Sequence, residues 1–593
     1  MQSYERYLEL HTRFARAEEP GIAAEVSLDE LSSVLHCTQR NVKLIIRRLE
    51  EEGLIHWQAG RGRGNRSQLT FLMDREKLLL ELSEQLATKG EYKNAFELLQ
   101  AYGEGTSSRT RFVEWLNGHF GYRSVLHHDS QSDMLRLPVY RPILTLDPGE
   151  LYYAFSAHLV KQLFDGLVQY DQVKQEVVSG LAHAWEQEED GKVWTFHLRK
   201  GILFHHGREL VAEDVVYSLE RLRASKASSW FVRTLDHAEA IGRRTVKLTL
   251  NRSNWLLPRF LCAPGMVIVP HDLVEGDPEF WKHPVGTGPF RLAEWTEDRF
   301  TLEANSTYYQ GRAHLDGVVI VTMPADTSFY SKSWQQLLYD HDPSESEPVQ
   351  DWQVKEDLCN GCSLLTWNMG KQGPQQSAAL RKAFDLLVDR TRLIEMLGED
   401  RKYPARGFQP VGLELLEQRI HPQPEAAAVL LKEAGYAGET IRIGTYGLHE
   451  HDARWLQGEL ASYGVAIEVV AKTWESIRQP EVLGSVDALL YCVVFAEDEV
   501  CMIETYEQTG NFLKELLSPE LLGWVRGKID EVLGSKSNEE RWKHLRDIES
   551  KLREETHVIF LVHKKVDTFY HPSIKGVGVN SLGWIDFREV WMA

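Results

Sequence analysis

The sequence predicts a multidomain protein with three parts: a small, mainly α N-terminal domain carrying a β wing, a helical connector, and a large C-terminal α/β domain. Two observations predict this. The chain has 593 residues, more than one hydrophobic core usually organises. Its texture also changes along its length: capped amphipathic helices and a glycine-arginine loop come first, and alternating strands and helices follow from about Asp133. The boundaries that result are 1–73, 74–132 and 133–593.

Residues 1–19 have the periodicity of an amphipathic helix with Tyr4, Tyr7, Leu8 and Phe14 inward, broken near Gly21. Ser27-Leu28-Asp29-Glu30 has the form of a capping box and opens a second helix, with Leu28, Leu31 and Leu35 at helical spacing. His36 and Cys37 form a tight turn. Thr38 caps a third helix that runs to about Glu52 and stops at Gly53. On that helix Val42, Ile45, Ile46 and Leu49 form the buried stripe. Leu54–Trp57 and Ser67–Leu72 read as strands around the loop Gln58–Arg66, which is rich in glycine and arginine.

This string is a helix-turn-helix with one wing. Thr38, Gln39, Arg40, Asn41 and Lys43 stand at the start of the third helix, where side chains reach base edges in the major groove; Gln39, Arg40 and Lys43 are the base-contact candidates. Arg47, Arg48, Arg61, Arg63 and Arg66 are candidates for phosphate or minor-groove contacts. No acid lies between Gly53 and Leu72, although the chain as a whole carries a net charge of -20. Any DNA binding must therefore use charge gathered locally. A phosphate-cradling loop is the rival reading of the glycines, but the Walker pattern and its strand-to-helix setting are both missing.

The connector, 74–132, carries Leu78, Leu79, Leu82 and Leu86, then Phe96, Leu98 and Leu99, then Phe112, Trp115 and Leu116 at helical spacings, interrupted at Gly103–Ser108. It lacks sustained heptads. Such a bridge could support a homodimer or pack within its own chain.

In the large domain, specific strings recur in order. They are Leu146-Asp147-Pro148, Phe164-Asp165-Gly166-Leu167-Val168, Leu181-Ala182-His183-Ala184-Trp185, and the block Phe196–Gly207. Then come Ala212-Glu213-Asp214-Val215, Gly286-Thr287-Gly288-Pro289-Phe290, Leu380-Arg381-Lys382-Ala383-Phe384, and Ala427–Tyr436. Together they resemble the peptide- and nickel-binding class of ABC-transporter solute-binding proteins, family 5, over roughly 133–590. His206 departs from the Asp usual before Gly207, and 321–355 looks irregular. The resemblance implies a two-lobed, periplasmic-binding-protein-like α/β fold with a ligand cleft. Lobe I would span about 133–363 and 563–593, and lobe II about 364–562, with crossings near Leu364–Asn368 and Val558–His563.

The wing strings Trp57-Gln58-Ala59, Gly62-Arg63-Gly64 and Leu69-Thr70-Phe71-Leu72, with Phe204–Leu210 and Leu582–Phe587, resemble SgrR-type transcription regulators more closely. That family joins a DNA-binding domain to a solute-binding-like domain. The resemblance implies double-stranded DNA and a small-molecule ligand as partners, the latter a sugar phosphate, sugar or peptide. Trp367, Tyr446, Trp455 and Trp474 are aromatic candidates for the cleft, and Arg406 is the candidate for an anionic ligand. The alternative is the substrate-binding component of an oligopeptide-type importer.

Other classes find little support. Six cysteines make no disulfide framework, and Cys359-Asn360-Gly361-Cys362 lacks a second pair at zinc spacing. His205 and His206 would point to opposite faces of a strand. No catalytic residue, metal site or cofactor is expected, because no nucleophile, zinc or dinucleotide motif occurs in its required context. Met1–Leu10 lacks the features of an export signal, no apolar run spans a bilayer, and Ala488–Ala496 reads as a buried strand. The expected location is the cytoplasm, without membrane association.

Overall fold

The computed structural model describes all residues except 1, 16–19, 61–65, 118–119, 128–129, 141, 325–352, 399, 411, 413–415, 448, 496–498, 571–573 and 579–583. It divides into two compact units. The first comprises Met1–Pro142, Glu294–Thr301 and Gly317–Trp352, and the second the remainder.

The first unit begins with α1 (Gln2–Phe14), which buries Tyr7, Leu8 and Leu10 completely. β1 (Ala23–Val26) follows, a strand too short to stand out in the sequence; it is made by pairing antiparallel with β3 (Ser67–Phe71). Both arms of the Ser27–Glu30 capping box are present at the start of α2 (Leu28–Val34). His36 takes a left-handed conformation, φ 49°, in the turn before α3 (Gln39–Glu51), and Gly53 (φ 71°) ends that helix. α3 buries Val42, Ile46 and Leu49, whereas Ile45 at the edge of the stripe is half-buried. β2 (Ile55–Gln58) completes a three-stranded sheet in the order β1-β3-β2.

The connector helices pack within their own chain, one of the two arrangements the sequence left open. α4 (Arg75–Thr88), α5 (Tyr92–Tyr102) and α6 (Ser108–Asn117) pack into the same core as the winged helix: Leu79, Leu82, Phe96, Leu99, Phe112 and Leu116 join Leu8, Val26, Ile46 and Leu69. Periodicity shows that a helix has an apolar face but not what covers it. The Tyr7 hydroxyl fastens this arrangement by donating to the Met73 carbonyl at 2.5 Å. Residues 121–127 and 130–139 are not helical. They form a hairpin of β4 (Gly121–His127) and β5 (Ser130–Val139), and the strand Gly317–Thr322 pairs parallel to β5. The segment 133–142, expected in lobe I, therefore belongs to the first unit.

In the second unit a four-stranded sheet takes the order 235–240, 245–250, 193–198, 182–188. A larger mixed sheet is built on Gly361–Trp367, whose residues are all buried. That strand lies antiparallel between Val558–Tyr570 and Ala488–Val494, and Ile441–Tyr446 and Ile467–Lys472 continue the sheet in parallel. The two segments expected to carry the chain between lobes are thus adjacent strands. The strand period of two sends alternate side chains to different cores. Cys362, Leu364, Leu489, Tyr491 and Phe560 join one core with Leu167, Phe196, Phe260 and Ile268, while Leu365, Trp367, Leu490, Ile559 and Leu561 join another with Phe384, Ala453 and Leu456.

The candidate DNA-reading helix and ligand seam

On α3 the burial of Val42, Ile46 and Leu49 turns Gln39, Arg40, Asn41, Lys43, Leu44, Arg47 and Arg48 to solvent. Thr38 caps the helix by accepting from the Asn41 backbone N–H at 3.4 Å. The exposed side chains are engaged unequally. Gln39 donates to Asp29 at 2.5 Å. Arg47 pairs with Glu51 at 2.8 Å and Arg48 with Glu52 at 3.0 Å, one turn along the helix. Among the described residues, Arg40 and Lys43 have no acid within ion-pair distance. The tail of the helix therefore cancels its own charge while the N-terminal half keeps two open cations, and the positive end of the helix dipole lies beside them.

The wing strands hold Trp57 opposite Leu69 and Ile55 opposite Phe71, and Ser67 Oγ accepts from the Gly60 N–H at 3.1 Å. Arg66 at the base of the wing pairs with Glu30, the capping-box acid of α2. This contact joins wing to helix, which the sequence did not signal. Arg61 and Arg63 lie outside the described residues.

The five ligand-site candidates separate into three places. Trp367 is fully buried against Phe384, their ring centroids 5.2 Å apart, and Trp455 packs on the same core. Trp367 therefore cannot line a cleft, and Trp455 packs against the same core. Arg406 is exposed and donates to Gln418 at 3.2 Å, so it belongs to the outer surface. Tyr446 and Trp474 come together, with centroids 5.0 Å apart, on the other core, which also holds Trp194, Phe196 and Phe260.

Around that pair lie residues the sequence reading missed. Phe512 completes an aromatic cluster, 6.1 Å from Tyr446 and 5.6 Å from Trp474. The Arg478 guanidinium carbon sits 4.3 Å from the ring centroid of Tyr152 and 5.2 Å from that of Trp474. Burial pushes its pKa below the usual arginine range. No carboxylate among the described residues pairs with it, though Glu150 and Glu515 lie near enough to act on Tyr152. Gln508 Nε2 donates to the Leu151 carbonyl at 3.0 Å, joining segments far apart in the sequence. A partly desolvated guanidinium stacked between rings retains all five N–H donors for a planar or tetrahedral anion. The signal available in the sequence was Trp474 to Arg478, four residues apart on one short helical turn; Tyr152 is too distant along the chain to be anticipated.

Other sequence features have structural explanations. His205 is not on a strand. Its Nδ1 accepts from the Gly286 N–H at 3.1 Å, its Nε2 lies 3.1 Å from the Gly288 carbonyl, and burial lowers its pKa to about 4. Cys362 is buried in the sheet and Cys359 is half-buried. Among the described residues, the one cluster of converging His, Cys, Asp or Glu ligands is Asp214, His271 and Asp272. Arg208 already bridges its two carboxylates at 2.7 Å each, which makes it an ion-pair network. No described helix is long and apolar enough to cross a membrane.

Comparisons with known proteins place two families along the chain. Residues 2–117 match the family model for the sugar transport-related sRNA regulator N-terminus, and 176–491 match that for the middle of bacterial extracellular solute-binding proteins, family 5. Neither model describes an enzyme. An uncharacterised protein of Bacillus subtilis (strain 168), YhjP, is 30% identical over 97% of each chain. The HTH-type transcriptional regulator SgrR of Yersinia enterocolitica is 27% identical over 99% of this chain and 98% of its own. Among solved structures, a dipeptide-binding protein of Pseudoalteromonas in complex with Met-Leu superposes with TM-score 0.67 at 18% identity, covering 78% of this chain and all of that one. The periplasmic binding protein DppA of Helicobacter pylori, in complex with a peptide, gives 0.63 at 21%, covering 77% and 98%. These likenesses establish the two-lobed fold of the large domain. With an SgrR-type N-terminus ahead of a family 5 solute-binding domain, and relatives matched along nearly its full length, the chain belongs to the SgrR family.

Proposed function

We propose that this protein is a transcriptional regulator that binds double-stranded DNA through its winged helix and senses a small molecule through its solute-binding-like domain. The observation that carries the reading is the pair of open cations, Arg40 and Lys43, on an exposed capped helix in a chain that also holds a two-lobed sensor fold. The regulator relatives favour the same reading. A DNA-binding role places it in the cytoplasm and needs no catalysis. Half-site recognition by paired winged helices favours a homodimer.

The sensed ligand is a sugar phosphate, sugar or peptide. Arg478 favours the members of that set with an anionic group, which it would meet while Trp474 and Tyr446 cover an apolar or ring face. Ligand alters DNA binding only through differential affinity for the two lobe arrangements. The test is the affinity of the full chain for duplexes from its own promoter region, with and without sugar phosphates, sugars and short peptides. Equal affinity and equal transcription under every condition would defeat the sensor reading, and no retention of any duplex at low salt would defeat the DNA reading.

A further inference from the structure

The outward stripe of α3 is not wholly polar. Leu44 stands between Arg40, one turn before it, and Arg47 and Arg48, one turn after it, and it is 60% exposed. It is the single large apolar side chain on the open face of this helix, opposite buried Val42, Ile46 and Leu49. Leaving such a side chain in water forgoes the stabilisation that burial would supply. A protein-binding face would surround it with further apolar and aromatic groups to form a dry centre. Here its neighbours are Arg40, Lys43, Arg47 and Arg48, with Glu51 and Glu52 bordering it only toward the helix end. Cations around one short apolar group match a polyanion that presents an isolated methyl, and in the major groove of DNA that group is the C5 methyl of thymine.

We propose that Leu44 is a specificity-determining residue that packs on a thymine methyl in the recognised site. The inference rests on the reading of α3 as the helix that enters the groove. It assigns an apolar base contact in addition to the hydrogen-bonding ones expected from Gln39, Arg40 and Lys43.

The test uses the full-length protein. Selection from random duplexes identifies a preferred site, and each thymine in it is then replaced singly by deoxyuridine, which lacks only the methyl. Burying one methyl corresponds to about a fourfold change in affinity. Wild-type protein should therefore lose about that factor at one thymine in each bound half-site and nothing at the others. Leu44→Ala should be insensitive at that position, and its affinity for the thymine site should match that of wild type for the uracil site. Leu44→Met should restore the discrimination, which a general folding defect would not permit. A selected site with no methyl-sensitive thymine, or sensitivity that persists in Leu44→Ala, overturns the assignment while leaving α3 as a DNA-binding helix. Failure to enrich any duplex overturns both.

Discussion

Replacing Arg40 and Lys43 together by Ala should weaken DNA binding about 30-fold at about 0.15 M salt. The magnitude follows from how the cations of α3 are engaged. Arg47 and Arg48 face Glu51 and Glu52 at 2.8 and 3.0 Å, so part of their charge is spent within the protein. Arg40 and Lys43 have no such partner among the described residues, and their whole charge is available to DNA. Each cation that neutralises a phosphate releases about 0.9 counterion from B-form DNA. Two of them steepen log K against log salt by about 1.8, and about 0.15 raised to that power is roughly 1/30. Fluorescence anisotropy on a promoter-region duplex, repeated from about 50 to 200 mM salt, measures both quantities. Because both side chains are exposed, unfolding and ligand binding should stay within about 0.5 kcal/mol of wild type. Parallel salt plots for variant and wild type would refute the reasoning even if affinity fell, because that would show the two residues do not face the polyanion. Joint loss of DNA and ligand binding would indicate misfolding.

Glu51→Gln should tighten binding and steepen the salt plot, because it frees Arg47 from its 2.8 Å partner; unchanged affinity in the same titration would show that Arg47 does not approach DNA. Between Tyr152 and Trp474, Arg478→Gln should abolish the thermal shift given by glucose 6-phosphate or a free-carboxylate dipeptide, whichever stabilises wild type, and persistence of the shift would remove Arg478 from the site. His11 is buried between Tyr7 and Phe71, and burial with the nearby Arg75 lowers its pKa to about 4. The unfolded chain, titrating near 6.5, binds the proton more readily, so this stabilisation is complete above 6.5 and is lost as pH falls toward 4. The full effect is about 3 kcal/mol. Amide exchange in α4 should accelerate over that window and do so less in His11→Phe; identical pH profiles would exclude His11 as the cause.

The winged helix was legible because its signals are local. A Ser and a Glu three positions apart make the capping box, Thr38 caps the next helix, and the Val42, Ile46, Leu49 spacing selects the buried side whatever lies against it. The two-lobed α/β fold of the large domain was likewise foreshadowed by ordered strings. Assignments that depended on what a face packs against were not legible. The leucines of α4 and α5 left open whether they face a second copy or their own chain, and in the structure they fill the core of the winged helix. Trp367 looked like a cleft residue but its strand position turns it into the opposite core, and Arg406, chosen for its local setting alone, lies on the exposed surface beside Gln418.

The sequence by itself determined the elements, their caps and the local concentration of positive charge, since these depend on residues within a few positions of one another. Only the tertiary structure decided which cations keep their charge for a ligand. Arg66 is taken by Glu30 of another element, while Arg478 is left between Tyr152 and Trp474, drawn together from distant parts of the chain. An ion pair or a stacked ring acts over a few ångströms, and at that range folding, not sequence separation, sets the neighbours.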